Sequence, residues 1–143
     1  MNTEDVSDGG PYLNLNFDVD FDGLPRLGYC SLEGLESLVE LKDEAVPADQ
    51  PAAQDAVSHS NIILRRGLDD SRDLWQWYAA TRQGDAQPRN GTIVILNEAR
   101  RPILTILVEG AWPCRWKLGR LDSIKGEVLV EEIELVVKEF NVK

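Results

Sequence analysis

The sequence has few of the residues from which catalytic and metal sites are commonly built. It contains a single histidine, His59, and two cysteines, Cys30 and Cys114, that lack CxxC spacing. No GxSxG turn is present to hold a catalytic serine, and no P-loop or GxGxxG motif follows a strand-like stretch. We therefore predict a protein that is not an enzyme and that binds no cofactor.

Long apolar runs are also missing from the 143 residues. None reaches the roughly 18 to 20 apolar residues that a membrane-spanning helix needs, so we predict no membrane anchor. The first ten residues, MNTEDVSDGG, are acidic and have neither the basic nor the apolar region of a secretory signal. We expect the chain to fold in the cytoplasm. Thiols stay reduced in that compartment. Free cysteines are among the residues most often buried, so both are expected to be buried or half-buried.

Basic residues are scarce in the first part of the chain. Residues 1–57 contain 13 acidic and 2 basic side chains (net −11), and residues 58–143 contain 12 and 13 (net +1), which together give the net charge of −10. A protein that binds nucleic acid needs basic side chains to replace the counterions of the phosphates. The charge therefore argues against specific nucleic-acid binding.

The stretch NFDVDFDG, residues 16–23, allows two interpretations. Its aspartates at alternate positions, Asp18, Asp20 and Asp22, match the first half of an EF-hand calcium loop. The twelfth position of that loop would be Tyr29, however, where a bidentate glutamate is required. Apolar and acidic residues alternate here with the period of a half-buried strand. We predict a β-strand with solvated aspartates and no metal site.

One amphipathic helix is predicted in DDSRDLWQWYAATRQG, with Gly84 as its stop signal. Leu74, Trp77 and Tyr78 share one stripe of this helix, which we expect to be buried. Trp75 lies about 200° from Trp77 around the helix axis, so both indoles cannot face one core. Trp75 is therefore expected to meet a second surface.

The remaining patterned segments are typical of β-strands, six or seven in number. Gly34 is expected to mark a bulge or a close approach of two backbones. A shift in the apolar pattern predicts a bulge near Glu131 and Glu132. The predicted strands are Leu13 to Phe21, Tyr29 to Leu41, Ile62 to Gly67, the hairpin of Thr92 to Leu96 with Ile103 to Val108, and a C-terminal strand.

Two segments have no usable periodicity. Residues 1–10 are expected to be a disordered leader, followed by a single domain over residues 11–143. Within that domain, residues 42–56, KDEAVPADQPAAQDA, combine prolines, alanines and acids in the composition of a mobile loop. Such a segment cannot build a core.

The order of motifs resembles the tail tube protein family of contractile phages and related bacterial injection systems. The similarity covers roughly residues 11–143. A strand leads into RG, the helix DSRDLWQW follows, RNG precedes a hairpin, and AWP with a further tryptophan comes next. The sequences NFDVDFDG and GLE match the N-terminal strands of the family.

The resemblance implies a mainly β (α+β) fold, in which two packed antiparallel sheets form a partly closed barrel with one flanking α-helix. It further implies homohexameric rings that stack into a tube around a lumen, as in type VI secretion. The implied partners are other copies of the chain, sheath and baseplate proteins, and a cargo of protein or DNA. Assembly would occur in the bacterial cytoplasm, in a tail or injection particle that can be released from the cell.

Subunit contacts are then expected at exposed acids, at the second face of the helix and in the unpatterned segment. The candidates are Trp75, Asp18, Asp20, Asp22, Pro47, Asp49, Pro51 and Asp55.

The unpatterned segment departs from the family, which commonly has a longer stretch with YREG-like and PG sequences. Here LKDEAVPADQPAAQDAVSHS, residues 41–60, replaces it and keeps neither. Two roles therefore stay open, a main tube subunit and a specialised terminal ring near the baseplate. Phage tail and bacterial injection system also stay open. The rival class is a small β-sandwich binding module or an enzyme on the same scaffold.

Overall fold

The computed structural model describes residues 16–40, 57–85 and 87–143. The predicted leader lies outside these residues, as do Pro47, Asp49, Pro51 and Asp55. The described elements are β1 (Asn16–Phe21), β2 (Ser31–Glu33), β3 (Ser37–Val39), β4 (Val57–His59), β5 (Ile62–Gly67), α1 (Asp73–Arg82), β6 (Arg89–Leu96), β7 (Pro102–Leu118), β8 (Val130–Val136) and β9 (Glu139–Val142).

Seven of the strands form one antiparallel sheet in the order β1-β6-β7-β8-β5-β2, with β9 beside β7, and β3 pairs with β4 in a separate ribbon. The predicted mainly β fold with antiparallel sheets and a flanking helix is confirmed. The prediction of two packed antiparallel sheets is corrected to one large sheet of seven strands and a small ribbon of two, because the two layers are halves of one continuous sheet. The sheet does not close into a barrel, since its edge strands β1 and β2 do not pair with each other.

The 17-residue strand β7 joins the two halves of the sheet. Its first part, up to Ala111, pairs with β6 and β9, and its second part, from Trp112, pairs with β8. Close to the junction of these parts, Gly110 at the end of the first has a φ of +66°, and in the second the register with β8 shifts between Pro113 and Arg115. A positive φ and a bulge both bend a strand, so one chain segment can serve two layers.

The core lies between the two halves and under the helix. Alternate residues of each strand point inward, as the period of two requires. The buried cluster joins Val19, Phe21, Ile93, Ile106 and Val108 of the first half to Ile62, Leu64, Ile133 and Leu135 of the second and to Leu74 and Trp77 of α1.

Helix α1 contacts both halves of the sheet through two tryptophans. The Trp77 ring lies 5.6 Å from the Phe21 ring, and its indole N–H donates to the carbonyl oxygen of Gln87 at 2.9 Å. The Trp75 ring lies on the other side, 4.9 Å from the Trp116 ring of β7. The helix ends as predicted before Gly84, which has a φ of +88°. Of the expected stripe, Leu74 and Trp77 are buried and Tyr78 is half-buried.

The bulge predicted near Glu131 and Glu132 is not found in β8. This strand pairs with β5 without a register break, and Glu131 occupies an inward position with only 1% of its surface exposed. The apolar pattern seemed to shift because one core-facing residue is a glutamate. The irregularity of this region is on β7, at Cys114.

Glu131 is held in the core by a buried ion pair. The Arg66 guanidinium donates to its carboxylate at 3.0 Å, and the Trp116 indole N–H donates to the other oxygen at 2.8 Å. A second nitrogen of Arg66 donates to Asp69 at 2.7 Å, just before α1. This hydrogen bond lowers the pKa of the Asp69 carboxyl. Arg66 of β5, Glu131 of β8 and Asp69, which precedes α1, therefore form one network of charged groups.

Tyr29 lies near this ion pair and keeps its proton to high pH. Burial is the main cause, and it raises the pKa of the phenol to about 12. The Arg66 charge acts in the opposite direction, while Glu131 and Asp73 add to the effect of burial. The hydroxyl is therefore neutral under physiological conditions.

The two cysteines also differ from expectation, since both are exposed free thiols. Cys30 precedes the short edge strand β2, and Cys114 occupies the bulge of β7. An edge and a bulge both leave a side chain uncovered on one side, which composition alone could not predict.

We predict that Trp77→Ala will lower the free energy of unfolding by about 3 to 5 kcal/mol, because it removes a large buried side chain and leaves a cavity. Urea unfolding followed by circular dichroism would measure the loss. Gln76→Ala, at the neighbouring exposed position, is the control and should change stability by less than about 0.5 kcal/mol. Similar losses in both variants would mean that the helix is not held through Trp77.

We further predict that Glu131→Ala will cost about 3 to 5 kcal/mol, because it removes the buried partner of the buried Arg66 and leaves it only the exposed Asp69. Glu131→Gln should cost less, since an amide oxygen can still accept from Trp116. The control is Glu109→Ala, which breaks the exposed pair with Lys138 at 3.6 Å and should cost at most about 1 kcal/mol. Equal unfolding midpoints for the two alanine variants would contradict a structural role for the buried pair.

Candidate functional site

Among the described residues, the open side of the sheet leaves backbone hydrogen-bonding groups without strand partners. Strands β1 and β2 end the strand order and have backbone groups without a neighbouring strand. A slot of about 380 Å³ lies between them, lined by Asn16, Phe17, Cys30, Ser31, Leu32, Leu35, Ile93 and Ile95. Unpaired edges of this kind can add a strand or a side chain from another chain.

The acidic octet begins on β1, and its first two residues, Asn16 and Phe17, line the slot. Residues 16–21 pair with β6 from Asn16↔Leu96 to Phe21↔Gly91, which confirms the strand interpretation. Asp18 and Asp20 are exposed on the outer face, and Asp22 follows in the turn. Asp20 lies 3.9 Å from Arg26. Among the described residues, no group of three or more histidines, cysteines and acids is placed to hold a metal ion.

The opposite wall is fixed to the sheet by ion pairs and a backbone crossing. Arg65 donates to both Glu33 of β2 and Glu132 of β8 at 2.7 Å. The hydrogen bond to Glu33 is the largest effect that raises the pKa of the Arg65 guanidinium. At Gly34, where φ is +100°, a Cβ atom would lie 1.9 Å from the carbonyl oxygen of Asn61. The predicted close approach is confirmed there.

The ribbon of β3 and β4 forms a second surface with uncovered apolar side chains. Leu38, Val39 and Val57 are exposed on it. His59 attaches the ribbon to the sheet through its ring, which lies 4.6 Å from the ring of Phe140 in β9. The ends of β3 and β4 that face residues 41–56 are adjacent, because Val39 pairs with Val57. The two ends of the intervening segment are therefore close together, at the Val39 and Val57 pair.

The helix offers a third surface at Trp75. Its indole is half-buried against Trp116, and Arg82 lies over the ring at 5.2 Å. The expected second surface is therefore first of all another part of the same chain. The exposed remainder of the ring is what another subunit could contact.

The loop between β7 and β8, residues 119–129, presents the most exposed apolar side chains. Leu121 is 74% exposed, Ile124 92% and Val128 79%. The sequence analysis missed this loop because its three apolar residues follow neither a helical nor a strand period. The signal available was the position of Leu121 and Ile124 between Gly119 and Gly126, where no element was predicted; Val128 lies after Gly126, in the stretch predicted as the C-terminal strand.

The thiol of Cys114 is not prepared for nucleophilic chemistry. Partial burial of the sulfur raises its pKa, and the nearby Glu134 carboxylate raises it further. A reactive cysteine needs a lowered pKa.

Among the described residues, no helix has the length and apolar character to cross a membrane.

A comparison with protein families matches residues 13–141 to the model described as the T4-like virus tail tube protein gp19. The match covers almost the whole chain. No protein with curated annotation matches the sequence.

Several solved structures share the fold of this chain. One chain of the extended sheath-tube complex of the PVC extracellular contractile injection system has a TM-score of 0.81 at 18% identity, with 100% of this chain and 98% of that chain covered. A chain of the six-fold symmetrised anti-feeding prophage baseplate has 0.77 at 24% identity, with 94% and 97% covered. Hcp1 of Flavobacterium johnsoniae has 0.63 at 9% identity, with 88% and 93% covered. Identities this low establish a shared fold.

Proposed function

The chain belongs to the T4-like virus tail tube protein gp19 family, and from that premise we propose that it forms stacked hexameric rings in the inner tube of a contractile injection system or phage tail. The family is made of structural tube proteins, so the protein is not an enzyme. The observation that supports ring formation best is the open sheet, whose edge strands β1 and β2 have no further strand beside them among the described residues. A neighbouring copy can satisfy these edges.

Ring geometry follows from the kind of contact that such an edge makes. A surface that binds a different surface of the next copy forms a heterologous interface, which closes into a ring when the rotation between copies fits. The similar baseplate structure was symmetrised six-fold, which supports six copies per ring here. The lumen would carry a cargo of protein or DNA.

The partners of such a ring are other rings, the sheath and the baseplate. One similar structure is a sheath-tube complex and another is a baseplate. The second candidate role, a specialised ring at the terminal or baseplate end of the tube, is favoured by the baseplate chain, which has the higher of these two sequence identities. We propose the main tube subunit first, because the sheath-tube chain has the higher TM-score and matches along the full length.

We propose contacts with other subunits for each of the interface residues predicted from the sequence. Asp18, Asp20 and Asp22 lie along or next to the edge strand β1, where a neighbouring copy would approach. Pro47, Asp49, Pro51 and Asp55 belong to the segment between β3 and β4, for which we propose contacts with the next ring. Trp75 is proposed to contact a neighbour through the part of its ring that Trp116 leaves uncovered.

We predict that the purified protein will form rings with six-fold symmetry at high concentration. Negative-stain electron microscopy would show the rings, and light scattering would give a mass of about six subunits or a multiple of six. A species that remains monomeric at millimolar concentration, and that is absent from purified tail-like particles, would contradict the proposed function.

We also predict that replacing residues 42–54 by two glycines will leave the subunit folded and ring-forming but will weaken the stacking of rings. The strands β3 and β4 pair as neighbours, so a short turn can join them without strain. Thermal unfolding would test the fold, and the length of tubes in micrographs would test stacking. A control variant with Pro47→Ala and Pro51→Ala keeps the length of the segment. Tubes of normal length after the replacement would exclude the axial contact.

A further inference from the structure

The second half of the sheet has four strands in the order β7-β8-β5-β2, so its outer strands are β2 and the second part of β7. The part of β7 from Trp112 to Leu118 pairs with β8 on one side, because β6 and β9 pair only with residues up to Ala111. Pro113 lies in this part, and proline, which has no N–H to donate, is confined mainly to edge strands. Among the described residues, both outer strands therefore have one side without a strand partner.

Charged side chains on the outer face of these four strands alternate in sign from strand to strand. Residues directly opposite each other in an antiparallel pair lie on the same face, and the register places six charged side chains on the face that points away from the core. They are Glu33 on β2, Arg65 on β5, Glu132 and Glu134 on β8, and Arg115 and Lys117 on β7. On this face each strand carries one sign, in the order acidic, basic, acidic, basic.

Inside the subunit, neighbouring strands join these charges into ion pairs. Arg65 donates to Glu33 and to Glu132 at 2.7 Å. Arg115 lies 4.0 Å from Glu134, the residue opposite it in the ladder. Opposite charges across a ladder stabilise a sheet and like charges destabilise it. The alternation of sign therefore fits the four strands to one another.

The alternation is incomplete at the two outer strands. We call the unpaired side of β2 with Glu33 the acidic edge, and the unpaired side of β7 with Arg115 and Lys117 the basic edge. The Glu33 side chain is 55% exposed and that of Arg115 is 58% exposed, and a carboxylate can accept from more than one donor. A basic edge is continued by an acidic edge, whereas two edges of the same kind bring like charges together.

Strand direction leads to the same pairing of edges. Neighbouring strands of the four are antiparallel throughout, so β2 and β7, at the ends of an even number of strands, run in opposite directions. When copies are related by rotation about an axis roughly along the strands, β7 of one copy is antiparallel to β2 of the next. The antiparallel order and the alternation of sign then both continue across the contact.

We propose that the basic edge of one copy lies beside the acidic edge of the next copy, with Arg115 and Lys117 facing Glu33. The proposal rests on the proposed ring-forming function and assigns the residues that decide which edges meet. Because the two edges belong to different strands of one chain, the contact is heterologous and can repeat around a ring. Trp75, which packs on Trp116 of β7, lies next to the strand that makes this contact.

Opposite charge reversals test the pairing of the edges. Glu33→Lys makes both edges basic, and the double variant Arg115→Glu with Lys117→Glu makes both acidic. Each variant alone should need at least about tenfold more protein than the wild type to form rings, because like charges then face each other at every contact. An equimolar mixture should form rings at the wild-type concentration, since alternating copies join an acidic to a basic edge at each of six contacts. Recovery in the mixture also shows that both variants are folded.

Matched controls change the same charges away from the two edges. Glu98→Lys, and the double variant Arg101→Glu with Lys125→Glu, alter exposed side chains in loops, and their rings should persist at the wild-type concentration. Rings that persist in the edge variants, or an equal loss of rings in the controls, would overturn the inference. Loss of rings in the edge variants without recovery in the mixture would overturn it as well.

Carbodiimide cross-linking tests the contact in the unaltered protein. The reagent joins a carboxylate directly to a lysine amine, so it links side chains that touch. Inside one copy, Glu33 and Lys117 lie three strand spacings apart, about 14 Å, so a link between them reports on two copies. Mass spectrometry of the covalent oligomers should find this Glu33–Lys117 link. Rings in micrographs without the link would overturn the inference and leave the proposed function standing, and a wild type that forms neither rings nor links would overturn both.

Discussion

Strand β7 is the constraint on which the other elements depend, because it belongs to both halves of the sheet. Its first part pairs with β6 and β9, and its second part pairs with β8. Once this strand bends, the two halves must face each other and bury one common core. The same bend leaves the sheet open: in the part of the chain that the structure describes, β1 and β2 end the strand order and do not pair with each other.

The buried ion pair lies where three strands of the sheet, β5, β7 and β8, are adjacent. Arg66 on β5 and Glu131 on β8 are directly paired residues, and Trp116 of β7 donates to the same carboxylate. Apolar residues of similar size could stabilise the core as well or better, since desolvation offsets much of the attraction between buried charges. The charges add direction, however, because Arg66 also binds Asp69 and so aligns the approach to α1.

Local periodicity accounts for the parts of the fold that the sequence predicted. Strand β1, the β6 and β7 hairpin and helix α1 each repeat an apolar pattern over several residues, and their type was predicted correctly. Glu131 was misread because an inward glutamate looks like a break in the pattern until Arg66, 65 positions earlier, is known to face it. A strand shared by two layers is equally invisible, since pairing is not a property of one segment. The slot and the loop cluster arise from that long-range pairing, so the candidate site could be predicted only as exposed acids.

Assembly of an acidic subunit requires that short-range contacts exceed a long-range repulsion. At physiological ionic strength the repulsion between exposed charges fades beyond a Debye length of about 8 Å, so the average charge of −10 matters less than the charges at the contact itself. In this chain exposed acids lie along β1 at Asp18 and Asp20, whereas the loop that follows β7 carries both signs, with Arg120 and Lys125 alongside Asp122 and Glu127. The acids of β1 repel the same acids on another copy, so they discourage two β1 edges from pairing with each other.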